Sequence, residues 1–164
     1  MKINNKKLYI DMIPKTSWYQ NLRSILNEKE WEMVRKDVYK KNNFKCEICG
    51  GKGDKHPVEA HERWDYNKET KIQTLLNIEA LCPKCHMVTH IGLAEISNKM
   101  LEATEHLKKV NNWSDEEVFY ELKKASLYWK ELNEINWNVN VEWLLDKFEF
   151  SKETMEKLKF KENL

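Results

Sequence analysis

Apolar residues recur every three or four positions along much of the chain before residue 44 and after residue 92. This spacing puts them on one face of a helix, so we predict one helix that ends near residue 42 or 43 and two longer helices after Gly92. Ser114, with Glu117 three residues later, is a capping box that predicts the start of the second long helix. The apolar positions of the three helices are Trp31, Val34 and Val38, then Ile96, Met100, Ala103, Leu107 and Val110, then Val118, Leu122, Ala125, Trp129 and Leu132.

The middle of the chain has short apolar runs separated by glycine instead of helical spacing. We predict short strands at 57–61 and 79–81, with a loop between them, and a helix that begins at Cys85 or His86 and ends at Gly92. The expected order is a glycine-rich turn, a strand, a loop, a second strand, a second turn and a helix.

Residues 137–143 alternate apolar and polar side chains, which predicts a half-buried strand, and Ser151 is a candidate cap for a short last helix. Together these patterns predict an α+β, mostly helical fold. We divide the chain into an N-terminal helical extension packed on the core, residues 1–43, the core itself, residues 44–92, and a C-terminal helical region, residues 93–164. With 164 residues and 41% apolar side chains, the three parts are expected to form one compact domain.

The chain carries no pattern typical of export or of a membrane span. Its first eight residues alternate lysine and asparagine with few apolar side chains, and no later stretch has the long apolar run that a spanning helix needs. We therefore expect a cytoplasmic protein with no membrane partner.

All four cysteines lie in two CxxC pairs, Cys46 with Cys49 and Cys82 with Cys85. In a reducing cytosol such pairs are metal ligands more often than disulfides. Each pair presents two sulfurs from one tight turn, and two pairs complete the tetrahedral shell that zinc prefers, so we predict a structural Zn²⁺ site. The 32 residues between Cys49 and Cys82 exceed the spacing of a minimal zinc ribbon, so a further element is expected in the gap.

The segment from residue 44 to about 92 resembles the HNH endonuclease family, the zinc-containing branch of the ββα-metal or His-Me finger nucleases. The resemblance rests on several short motifs in order. They are CEICG from Cys46, VEAHE with His61 and Glu62, NIEALCPKCH from Asn77 to His86, and finally His90. It implies a ββα-metal core with a four-cysteine zinc ribbon. It also implies hydrolysis of phosphodiester bonds in nucleic acid, DNA before RNA, that leaves 5'-phosphate and 3'-hydroxyl ends.

By the same resemblance, His61 and His86 would bind one catalytic divalent ion, Mg²⁺, Mn²⁺ or another transition metal. Asn77 would brace the loop between them, and Glu62 stands where the family has its general-base histidine. A carboxylate near its ordinary pKa of about 4.3 is a weaker base than imidazole, whose pKa is about 6.5. Glu62 can serve as the base if desolvation raises its pKa.

A second alignment, shifted by one residue, makes His61 the base. It leaves Ala60 in the place of the first metal ligand and requires Glu62 or His56 to hold the ion. We favour the first alignment because the sequence VEAH then continues the strand pattern that leads into the ligand.

Three further residues have open roles. His90 lies four positions after His86, on the same side of the predicted helix, and can be a third ligand, a phosphate contact or a residue packed on the zinc turn. Trp64 follows Glu62 and can stack on a nucleic-acid base, although packing in the core is the better expectation in a chain with seven tryptophans. His106 lies between charged residues and is expected at the surface.

The net charge of +1 does not by itself indicate a nucleic-acid partner. Basic residues nevertheless crowd around the first CxxC pair, and we take them as candidate phosphate contacts together with Trp64 and His90. They include Arg35, Lys41, Lys45, Lys52 and Lys55.

Two other functions remain open. One is a catalytically degenerate zinc-ribbon protein that binds nucleic acid without cutting it, and the other is a protein-interaction adaptor built on the acidic C-terminal helices. The presence of His61, Asn77 and His86 together favours the nuclease, because a zinc scaffold needs none of them. A single nicking centre would need two copies, a homodimer, to break both strands.

Overall fold

The computed structural model describes residues 6–162, which form helices around one three-stranded sheet. The protein is therefore α+β with more residues in helices than in strands, as the sequence predicts. A 3-10 turn at Lys15–Ser17 precedes the regular elements. These are α1 (Leu22–Ile25), α2 (Glu28–Lys41), β1 (Glu59–Asn67), β2 (Ile72–Leu81), α3 (Pro83–Thr89), α4 (Ile91–Ile96), α5 (Met100–Asn111), α6 (Asp115–Leu132), β3 (Asn138–Asn140), α7 (Glu142–Leu145) and α8 (Lys152–Glu162).

Reciprocal hydrogen bonds cap the two longest helices. At α6 the Ser114 hydroxyl accepts from the backbone N–H of Glu117 at 3.2 Å, and the Glu117 carboxylate accepts from the N–H of Ser114 at 2.7 Å. This confirms the predicted capping box. At α2, Asn27 and Glu30 make the same pair of bonds, both at 3.0 Å, with an asparagine in place of the serine.

β1 and β2 form a long antiparallel hairpin. Glu59 lies opposite Leu81 at its base and Asn67 lies opposite Ile72 near its tip, with an irregularity in the pairing after Arg63. The hairpin base leads directly into α3, so the end of β2 and the start of α3 are adjacent in space as well as in sequence.

The predicted strands at 57–61 and 79–81 were too short, and the loop expected between them is part of the hairpin. Trp64 and Tyr66 are buried in β1 while their polar neighbours Asp65 and Asn67 are exposed. This alternation of period two continues the strand beyond the predicted end, since every second side chain packs against the core.

The helix predicted to end at Gly92 also differs. α3 begins earlier than expected, at Pro83, whose fixed backbone angle suits the first position of a helix. α3 ends before His90, whose backbone angles are not helical. A new helix, α4, then begins at Ile91 and includes Gly92. Glycine at this position does not end a helix.

Of the strand predicted over residues 137–143, only Asn138–Asn140 pairs, parallel to β2. The Asn140 side chain accepts a hydrogen bond from the backbone N–H of Glu142 at 2.9 Å, and α7 begins there. Of the apolar side chains of the alternation, Trp137, Val139 and Val141 are buried as expected, and Trp143 is half-buried.

Two clusters of buried apolar side chains lie on either side of the hairpin base. One extends from Leu22 in α1 to Leu158 in α8, and the other surrounds α3 and includes Leu8 and Leu107. Ala80 belongs to the first cluster and its neighbour Leu81 to the second, so the end of β2 lies between the two cores. Among the described helices, none is long and apolar enough to cross a membrane.

Candidate functional site

The four cysteine sulfurs lie within 4.8 Å of one another at the junction of β2 and α3. The Sγ atoms of Cys49 and Cys82 are 3.6 Å apart. Four sulfurs at about 2.3 Å from a tetrahedral zinc ion are about 3.8 Å from each other. The cluster can therefore hold a structural metal such as zinc, and its donor set fits that ion.

A glycine turn forms the first half of this cluster. Gly50 adopts a φ of 72°, and its N–H donates to the carbonyl of Cys46 at 2.9 Å. Glu47 attaches the turn to β2, because its N–H donates to the carbonyl of Ala80 at 2.8 Å while its carboxylate accepts from the N–H of Ala80 at 2.8 Å. The cysteine cluster therefore ties the turn after α2 to the start of α3.

His106 contacts the cysteine cluster. Its Nε2 lies 3.2 Å from the Sγ of Cys85, and the residue is half-buried on α5. His106 is partly exposed in the second cleft, and its contact with Cys85 arises because α5 packs directly against α3. No motif in the sequence signals this contact.

Three histidines converge next to the cysteines. His61 from β1 and His86 and His90 from α3 and its end each offer a ring nitrogen, and these nitrogens lie within 4.8 Å of one another. The distances between ring centroids are 5.4 Å for His61 and His86, 4.9 Å for His61 and His90, and 4.7 Å for His86 and His90. A set of three imidazoles suits transition metals such as zinc, nickel or iron better than Mg²⁺, which prefers oxygen ligands.

Burial keeps His90, one of the three histidines, in the neutral form that metals require. His90 is half-buried. Burial, followed by the neighbouring rings of His61 and His86, lowers the pKa of His90 to about 3. A neutral imidazole has a lone pair free for a metal ion.

Glu59 binds the side chain of His86. Its carboxylate pairs with Nδ1 of His86 and also with Nε2 of His56. The hydrogen bond from His86 is the main cause that lowers the pKa of Glu59 to about 2, so the carboxylate is ionised. A carboxylate bound to one ring nitrogen of a metal-binding histidine fixes the ring and leaves the other nitrogen for the ion. The sequence does not single out Glu59.

Asp11 reaches the histidine cluster from the N-terminal segment. Its Oδ2 lies 3.4 Å from Nε2 of His61 and 3.1 Å from Nη1 of Arg63. The backbone N–H of Asp11 donates to the carbonyl of Thr89 at 2.9 Å, which fixes the segment against the end of α3. Asp11 is far from the other site residues in sequence, so no local pattern predicts it.

A first cleft, with a volume of about 380 Å³, opens beside the three histidines and Glu62. The carboxylate of Glu62 accepts hydrogen bonds from the backbone N–H of Leu22 at 3.0 Å and from Nε1 of Trp64 at 3.1 Å. Burial raises the pKa of Glu62 to about 7, the condition under which a carboxylate can act as a base at neutral pH.

Trp64 lies in the core and not on the surface. It is 7% exposed and packs in the larger apolar cluster, with its ring nitrogen bound to Glu62. Trp64 therefore packs in the core, and the prediction that it contacts a nucleic-acid base is corrected. Asn77 lies within β2 opposite Arg63, and not in the loop predicted between residues 61 and 79.

A second cleft, with a volume of about 830 Å³, also borders His86 and His90. Four lysines line it, and two of them were predicted as phosphate contacts. They are Lys52 and Lys55, which the sequence predicts, and Lys84 and Lys99, which it does not.

The other basic candidates lie elsewhere. Arg35 pairs with Glu32 on α2, and Lys41 pairs with Asp37 one turn away at 2.6 Å. Neither of them, nor the exposed Lys45, is among the residues that line the two clefts. The basic stretch of the sequence is therefore divided between an ion-paired helix face and one wall of the second cleft.

The described residues thus bring two groups of side chains that could hold metal ions together around the start of α3, and both clefts border His86 and His90. Comparisons with protein-family models, with curated proteins and with solved structures found no match to this chain. A function is therefore inferred from the arrangement of the residues themselves.

Proposed function

We propose that the protein is a metal-dependent endonuclease of the HNH type that hydrolyses phosphodiester bonds, most readily in DNA. The observation that carries the proposal is the convergence of His61, His86 and His90 at the junction of an antiparallel hairpin and the following helix. The order of strand, strand and helix, with two cysteine pairs around it, agrees with the ββα-metal core that the sequence resembles.

In this proposal the three histidines hold one divalent ion and the four cysteines hold a structural zinc ion. The divalent ion, when bound, stabilises the negative charge that develops on the scissile phosphate. The all-imidazole donor set favours Co²⁺, Ni²⁺ or Zn²⁺ over Mg²⁺ and Mn²⁺.

Glu62 is the proposed general base. It lines the same cleft as the histidines and takes a proton from a water molecule that attacks the phosphorus atom. The bond from phosphorus to the 3' oxygen breaks, and that oxygen takes a proton from solvent. The products carry a 5'-phosphate and a 3'-hydroxyl. The lysines of the second cleft, which also borders His86 and His90, would bind phosphates near the cut.

A second candidate is a protein that binds nucleic acid without cutting it. The hydrogen bonds of Glu62 favour this alternative, because both carboxylate oxygens already accept one bond each. A base engaged in this way has fewer lone pairs left for a water molecule. Cleavage assays separate the two candidates.

The test incubates purified protein with supercoiled plasmid, single-stranded DNA and RNA, and with each of Mg²⁺, Mn²⁺, Co²⁺, Ni²⁺ and Zn²⁺. We expect nicking of the plasmid with at least one transition ion. His86→Ala should lower the cleavage rate by at least about 100-fold, a larger loss than is usual for a residue that only orients a metal ligand. Lys123→Ala, an exposed change on α6, is the matched control and should cut like the unaltered protein. Absence of cutting under every condition, or full activity of His86→Ala, would refute the proposal.

A further inference from the structure

The buried carboxylate of Asp11, which belongs neither to the hairpin nor to α3, lies against the histidine cluster. Asp11 is 8% exposed and His61 is 2% exposed, and their closest atoms, Oδ2 and Nε2, are 3.4 Å apart. Burying a carboxylate is costly unless it is paired with a charge or bound to a metal. Arg63 is one partner of Asp11, and the unpaired Nε2 of His61 lies against the same oxygen.

The contact between the two side chains is not a hydrogen bond. Nε2 of His61 has no hydrogen-bond partner among the described residues although it is fully buried. An unpartnered buried nitrogen is rare in folded proteins. The Asp11 oxygen is close enough to accept a hydrogen bond but is not aligned to do so.

The distance fits two ligands of one ion. Ligand atoms at about 2.1 Å from one metal ion lie about 3.0 Å apart at an angle of 90° and about 3.6 Å apart at 120°, the angles of a five-coordinate site. The separation of Oδ2 and Nε2 lies between these values, and an ion between them would satisfy the buried nitrogen and bind the buried carboxylate.

We propose that Asp11 is a fourth protein ligand of the ion held by His61, His86 and His90. This inference rests on the proposed function and deepens it, because it extends the site to a segment that the resemblance does not cover. Three neutral imidazoles and one carboxylate leave one or two open positions on a five- or six-coordinate ion. Those positions are available for a water molecule and a phosphate oxygen.

Arg63 provides the competing explanation for the burial of Asp11. Its Nη1 lies 3.1 Å from the same oxygen, and its guanidinium group lies 3.6 Å from the ring centroid of Tyr9. If Asp11 only neutralises Arg63, changes at the two positions should act alike on metal binding. If Asp11 is a ligand, only its own replacement changes the coordination of the ion, while Arg63 orients the carboxylate from behind.

The test uses the full chain with the cysteine site filled by Zn²⁺ and titrates the second site with Co²⁺. Affinity is measured by calorimetry, and coordination is followed by the visible absorption spectrum of bound Co²⁺. We expect Asp11→Asn to weaken Co²⁺ binding by at least about 10-fold and to change the spectrum. Arg63→Gln, the matched control, should keep the spectrum of the unaltered protein.

An unchanged spectrum and affinity in Asp11→Asn, or the same spectral change in both variants, would overturn the inference. If Asp11→Asn does not fold, Asp11→Cys is measured instead. It should give a charge-transfer band from thiolate to Co²⁺, and Arg63→Cys should not. Binding of Co²⁺ without this band in Asp11→Cys also contradicts a ligand at position 11.

His86→Ala distinguishes this inference from the proposed function. If His86→Ala binds Co²⁺ as tightly as the unaltered protein, the histidine cluster is not a metal site and both proposals fail. If His86→Ala weakens binding and Asp11→Asn does not, the histidine site stands and only the role of Asp11 is refuted.

Discussion

Glu30 joins the N-terminal and C-terminal parts of the chain through one buried carboxylate. It accepts hydrogen bonds from the Thr154 hydroxyl at 2.6 Å, the Ser151 N–H at 2.8 Å and the Asn27 N–H at 3.0 Å. Burial raises its pKa, but these hydrogen bonds outweigh that effect and lower the pKa to about 2. The charged form is therefore the one that stabilises the fold.

From this we predict a stability that depends on pH. The pKa of Glu30 in the folded protein lies below its value of about 4.3 in an unfolded chain, so its contribution is present above pH 4.3 and is lost as the pH falls toward 2. Glu30→Gln should lower the free energy of unfolding at pH 7 by about 1 to 3 kcal/mol, with a smaller difference at pH 3. Urea unfolding at both pH values measures this, and an equal difference at both would contradict it.

Single residues also show where the sequence is informative. Cysteine spacing predicts four side chains that the structure brings together, and the histidine motif predicts the convergence of His61 and His86. Asp11 and Glu59 were missed for different reasons. Asp11 reaches the histidine cluster only through tertiary packing. Glu59 is one of many glutamates in a charged chain, and its role depends on its contact with His86.

At the scale of the elements, the cysteine cluster connects the turn after α2 to the start of α3. We predict that Cys82→Ser loses the structural metal and unfolds at a lower temperature. Structural zinc contributes roughly 10 to 16 kcal/mol of apparent binding free energy in zinc-finger peptides, so loss of a ligand should be severe. Elemental analysis and thermal unfolding followed by circular dichroism measure the two effects.

The matched control for that change is Ser97→Ala, an exposed position that follows α4. It should keep the metal content and the unfolding temperature of the unaltered protein. A Cys82→Ser protein that retains one zinc ion per chain and melts at the normal temperature would show that the cluster does not hold the fold together.

Helices were easier to predict than strands for a physical reason. Capping boxes and helical spacing involve residues that are close in the sequence, so Ser114 and Glu117 alone predict the start of α6. The parallel pairing of β3 with β2 joins residues more than sixty positions apart, and no local pattern encodes it. The hairpin was predicted only at its base because the buried side chains of β1 beyond Arg63 were assigned to a loop.

At the scale of the whole molecule, the two clefts that border the histidines differ in their side chains: the first contains Glu62 and the second contains lysines. The larger cleft carries Lys84 and Lys99, and we predict that each contributes one phosphate contact. Lys84→Ala and Lys99→Ala should each weaken DNA binding and reduce the slope of log affinity against log salt by about one. Fluorescence anisotropy at several salt concentrations, without added divalent ion, measures this.

Lys41→Ala is the control for that experiment, since Lys41 is exposed, pairs with Asp37 and lies outside both clefts. It should leave the affinity and the salt slope nearly unchanged. If Lys41→Ala weakens binding as much as Lys84→Ala does, the basic stretch on α2 and not the cleft is the surface that contacts DNA.

The adjacency of Cys85 and His86 at the start of α3 has a consequence for the response of the protein to oxidants. If the cysteine cluster holds zinc as proposed, peroxide or disulfide stress would convert the zinc-bound thiolates to disulfides or sulfenic acids and release the ion. α3, which carries His86 and ends at His90, would then lose its anchor. The proposed hydrolysis would stop under oxidative stress and resume with a reductant and zinc, although no cysteine is among the proposed catalytic residues.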